Sequence, residues 1–63
     1  MQLLAAATSA MRSGRLAEAQ DLCRQALATN PNNADAYNLL GVISGGTGNH
    51  KAAADYMRQA AAV

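Results

Sequence analysis

Apolar positions recur along this chain at three-and-four spacing. Between Arg15 and Thr29 they fall on Leu16, Ala19, Leu22, Cys23, Ala26 and Leu27, one stripe of an amphipathic helix. Breaks punctuate the pattern. Gly14 follows Ser13 and is able to take the left-handed conformation that ends a helix. Pro31, within Asn30-Pro31-Asn32-Asn33, has no N–H and restricts the residue before it. Thr47-Gly48-Asn49 makes a third break. Four helices are therefore predicted: Gln2 to about Arg12, Arg15 to about Thr29, Ala34 to about Ser44 or Gly45, and His50 to near Val63. Asn33 or Asn32 caps the third helix, and Asp35 sits favourably in its first turn. Each glycine costs a helix roughly 0.8–1.0 kcal/mol against alanine, so Gly45 and Gly46 favour an early end to the third helix and a longer turn. Close approach of a partner helix or peptide backbone to these glycines is the alternative.

All connections are short, so consecutive helices are expected to be antiparallel neighbours. The expected fold is all-α, with two stacked antiparallel helix-turn-helix hairpins forming a single domain over residues 1–63. Repeat one covers about residues 1–33 and repeat two about 34–63.

The division rests on an internal repeat. A slide of 34 residues places Gly14 on Gly48, Ala19 on Ala53, Asp21 on Asp55, Arg24 on Arg58, Gln25 on Gln59, Ala26 on Ala60 and Ala28 on Ala62. Cys23 on Met57 and Leu22 on Tyr56 keep apolar character. In the earlier part, Leu3 aligns with Tyr37, Ala6 with Leu40 and Ala7 with Gly41.

Composition narrows the function. A 63-residue chain buries only about 60% of its unfolded surface and is marginal without help. Cys23 is the sole cysteine and His50 the sole histidine, so neither an internal disulfide nor a metal site supplies that help, and no cofactor is expected. Self-association, or more chain in a parent protein, remains. There is no Phe or Trp, and the apolar share is rich in alanine, so the helices must pack closely. A net charge of +1 argues against nucleic acid and anionic membranes, which need clustered Lys and Arg. No stretch approaches the roughly 18 apolar residues of a membrane span. Met1 to Ala10 has a small-residue end like a short secretory leader, but it lacks a basic start and fits the first helix of the repeat. The unpaired cysteine fits a reducing, cytoplasmic setting.

At these positions the chain resembles the tetratricopeptide repeat family, whose pattern is W-x-x-L-G-x-x-Y, then A-x-x-x-F, then A and P. The second copy supplies Tyr37, Leu40, Gly41, Ser44, Ala53, Met57 and Ala60; the first supplies Leu3, Ala6, Ala7, Ala10, Ala19, Cys23, Ala26 and Pro31. The small slots, where helices touch, are filled in both copies. The large slots depart: Leu3, Ala10, Ser44, Cys23 and Met57 stand where aromatic residues are expected. The resemblance implies a right-handed superhelix, a concave groove lined by the first helix of each pair, binding of a peptide or partner protein, and no catalysis. It places Leu4, Thr8, Met11 and Arg12, with Asn38, Val42, Gly45 and Gly46, on that groove. An ordinary solvated helix face is the competing reading. The Lys, Asn and Arg clamp of chaperone-binding relatives is not matched, since only Arg12 and Asn38 could take such parts.

Other chemistry fails on spacing. The phosphate-loop and dinucleotide glycine patterns are both interrupted at His50-Lys51, and neither has a preceding strand. Cys23 occupies a core slot without an activating base nearby. Asp21 with Arg24, Asp55 with Arg58, and Lys51 with Asp55 read as pairs on a solvated face.

Stacked arrays normally need about three repeats and a polar cap. Here the fourth helix ends in apolar residues, leaving Leu39, Ile43, Tyr56, Met57, Ala60 and Val63 as an expected self-association face. The leading expectation is a non-catalytic interaction module or scaffold that forms a homo-oligomer and binds another protein or peptide. The competing one is an N-terminal repeat segment of a larger bacterial enzyme, such as a sulfotransferase or glycosyltransferase.

Overall fold

The computed structural model of the chain describes residues 3–63. Four helices follow one another: α1 (Leu3–Arg12), α2 (Leu16–Thr29), α3 (Ala34–Gly46) and α4 (His50–Ala62). Among the described residues there is no strand. The helix expected to begin at Gln2 is described from Leu3, and Gln2 itself lies outside the described residues.

The two hairpin turns are built alike. Gly14 and Gly48 take positive φ values of 81° and 86°. In the first turn, the Gly14 N–H reaches the Met11 carbonyl at 3.1 Å and the Arg15 N–H reaches that of Ala10 at 2.9 Å. In the second, the Gly48 N–H reaches Gly45 at 3.2 Å and the Asn49 N–H reaches Ser44 at 2.8 Å. Each pair satisfies two carbonyls that the helix end would leave orphaned.

This stop explains why α3 outlasts the early end expected from its glycines. It runs through Gly46, because the cap at Gly48 holds the final turn and α4 packs beside it. A Cβ at Gly45 would stand 3.9 Å from the Ala53 Cβ, which is ordinary contact, so the helix that approaches this glycine is the chain's own α4.

The middle connection works differently. The Asn30 side chain accepts from the Asn32 N–H at 3.2 Å, and Asn33 accepts from the Ala36 N–H at 3.2 Å. Asn33, not Asn32, is the residue that caps α3. Asn49 does the same for α4 through the Ala52 N–H at 3.3 Å, whereas Arg15 at the start of α2 makes no side-chain cap.

Packing follows chain order. α1 packs on α2, α2 on α3, and α3 on α4, with a lighter contact between α1 and α3. α4 therefore rests on a single neighbour. The core is formed by Ala7, Ala10, Ala19, Cys23, Leu40 and Ile43, with Met11, Leu16, Leu22, Leu27, Leu39 and Tyr56 packed against it. Three of these twelve contributors are alanines, so the helices sit close and the molecule is flat, 27 × 25 × 13 Å.

Candidate protein-binding groove

α1 and α3 run in the same direction with a groove of about 400 Å³ between them. Leu4, Ala5 and Thr8 line it from α1; Asp35, Asn38, Leu39 and Val42 line it from α3. These positions lie about four residues apart on each helix, which puts them on one face. Val42 is half exposed, a large apolar side chain left open to solvent. The Thr8 hydroxyl donates back to the Leu4 carbonyl at 2.9 Å, so it is already satisfied within its own helix.

Of the residues expected on the groove, the structure brings together Leu4, Thr8, Asn38 and Val42. Met11, Arg12, Gly45 and Gly46 are placed elsewhere. Met11 packs against the core, Arg12 is exposed in the last turn of α1, Gly45 faces Ala53 of α4, and Gly46 is exposed. The physical reason is rotation: the fourfold steps from Leu4 and Thr8 lead to Arg12 at the helix end, beyond the groove, and Met11, one position earlier, is turned about 100° away and packs against the core. Ala5, Asp35 and Leu39 line the groove without having been expected there. Their spacing of three or four from Thr8, Asn38 and Val42 was the readable clue.

The expected self-association face divides as well. Ile43 is only 1% exposed and belongs to the core, which corrects its assignment to an open surface. Leu39 is half-buried on the groove side. Tyr56 and Ala60 are half-buried, while Met57 on α4 and Val63 just after it are exposed.

The charges sit outside the core. Arg24 pairs with Asp21 at 3.8 Å, Arg58 pairs with Asp55, and Arg15 pairs with Glu18 at 3.4 Å, all three residues apart on exposed helix faces. Asp55 engages Arg58 rather than Lys51, the other partner expected for it. Such pairs contribute at most a few tenths of a kcal/mol. Cys23 is fully buried, and desolvation pushes its thiol pKa upward, which disfavours the reactive thiolate. No group of three or more potential metal ligands exists among the described residues. No helix is long and apolar enough to cross a membrane among those residues.

A family model described as tetratricopeptide repeat matches residues 4–62. The chain has no significant match among curated proteins or among solved structures.

Proposed function

This chain belongs to the tetratricopeptide repeat family, a protein–protein interaction type of repeat, and we propose that its α1–α3 groove is where a partner's segment is received. The observation that carries the reading is the groove itself. Leu4 and Val42 lie far apart in sequence, yet the stacked hairpins set them on one open, largely apolar cleft of about 400 Å³. That volume falls within the roughly 300–1,000 Å³ of ordinary ligand pockets. The lining offers apolar contact surface, the Asn38 amide, a Thr8 hydroxyl bonded within its own helix and a single carboxylate at Asp35, with no acid–base pair, so the reading is of binding without catalysis.

The test is to place a charge on the apolar wall of the groove. Val42→Glu is expected to abolish partner binding while leaving helicity by circular dichroism unchanged, since Val42 is half exposed. Binding that survives Val42→Glu together with Leu4→Glu would remove the groove from consideration.

A second reading is favoured by α4, which contributes no fully buried residue and exposes Met57 and Val63. We propose that this side, with Tyr56 and Ala60, makes a self-contact between copies of the chain. Sedimentation at micromolar concentration tests it, and a folded monomer throughout would rule it out.

A further inference from the structure

The groove has a definite length. On α3 it extends from Asp35 to Val42, which at 1.5 Å per residue is about 10 Å. An extended chain advances about 3.3 Å per residue, so this length accommodates about three residues. A helix, about 10–12 Å across, would seat only the tips of its side chains.

The groove also has a definite polarity. The chain holds four acidic residues. Glu18, Asp21 and Asp55 are each paired with an arginine three positions away. The fourth, Asp35, forms no ion pair among the described residues, and it is the one ionisable residue lining the groove. Among the described residues no basic one lines that cleft. The N-terminus of α3 offsets part of the Asp35 charge, because a helix start carries roughly half a positive charge. Asp35 thus carries the one formal charge among the described lining residues, next to apolar walls from Leu4, Leu39 and Val42.

Resting on the groove reading above, we infer that the segment received is a short extended stretch of about three residues, two apolar and one basic, with the basic group at the Asp35 end. The apolar pair supplies contact area and the cation supplies orientation. Because the ion pair is partly exposed, its effect on affinity is modest and screened by salt.

The experiment uses the whole chain and two capped hexapeptides that differ only in a central Leu-Val-Arg or Leu-Val-Glu. Amide chemical-shift titrations follow each peptide against the wild type, Asp35→Asn and Asp35→Lys. Asp35 is exposed, so these variants keep the fold, and circular dichroism checks that they do. The arginine peptide is expected to bind the wild type about threefold to fivefold more tightly than the glutamate peptide. That preference disappears in Asp35→Asn, reverses in Asp35→Lys, and shrinks as salt rises. Equal binding, a preference for the glutamate peptide, or an order unchanged in Asp35→Lys would overturn the charge assignment while leaving the groove in place. Failure of both peptides to perturb groove amides would overturn the groove reading and this inference together.

Discussion

α2 and α4 are equivalent helices in the two copies, yet they live in different surroundings. α2 lies between α1 and α3 and buries Ala19, Cys23 and Ala26. α4 rests on α3 alone, and its matching residues Ala53, Met57 and Ala60 are half-buried or exposed. The sequence has adjusted to this. Leu16 and Leu27, both packed against the core, are replaced in α4 by His50 and Ala61, both exposed. α4 has thus lost two leucines, and Met57, packed in part against α3, and Val63 just after the helix are the large apolar groups that remain exposed there. A helix is apolar here where another helix covers it, and repeat symmetry yields to burial.

Identical substitutions at equivalent slots test this contrast directly. Cys23→Asp buries a charge in the core at a cost of several kcal/mol, so the chain should be unfolded by circular dichroism. Met57→Asp, at a slot 40% exposed, should leave it folded, with a loss nearer 1 kcal/mol in urea titration. Equal damage at both sites would mean that α4 is as enclosed as α2. Overpacking gives the next effect: Ala19→Leu should cost about 1–3 kcal/mol, and Ala53→Leu markedly less.

The small slot is tuned to its partner in each copy. Ala7 aligns with Gly41, and Cys23 with Met57, so the larger partner faces the smaller residue. A Cβ at Gly41 would stand 2.7 Å from the Met57 Cε. Gly41→Ala therefore loses by crowding part of the roughly 0.8–1.0 kcal/mol that alanine gains in a helix. Adding Met57→Cys converts the pair to that of the first copy and should recover about 0.5–1 kcal/mol in a double-mutant cycle. Additive effects would show that the two positions do not touch. The smallest contrast is in the caps: Asn49→Ala should cost about 1 kcal/mol, and Arg15→Asn should gain up to a similar amount.

Protonation distinguishes the helices too. Burial raises the Cys23 thiol pKa, so the neutral thiol is the form that the folded state favours. Its contribution to stability is fully present below the ordinary thiol pKa and is lost as pH rises through the raised value. Urea midpoints measured from neutral to alkaline pH should fall more steeply for the wild type than for Cys23→Ala.

The helices and their breaks could be read from the sequence because glycine, proline and asparagine mark them locally. The two copies could be read because the slots that fix helix contact keep their size. The groove was harder. Leu4, Thr8, Asn38 and Val42 follow from the family resemblance, but the rotation that carries Met11 into the core and Asp35 to the groove depends on how α1 lies against α2 and α3. Ile43 shows the same limit: on α3, an apolar residue reads alike whether it faces a neighbour or the open side. The extension of α3 through Gly46 was hidden because the backbone cap at Gly48 and packing against α4 outweigh the intrinsic cost of two glycines.

Each helix packs mainly on the next in the chain, and α4 touches only α3. Opening should therefore run as a sequence of partial events. α4 can detach while α1, α2 and α3 keep their contacts, so its amides should exchange hydrogen fastest among the helices and those of α2 slowest. Refolding needs only near-neighbour encounters, which places it toward the microsecond-to-millisecond range of helical folds with local contacts.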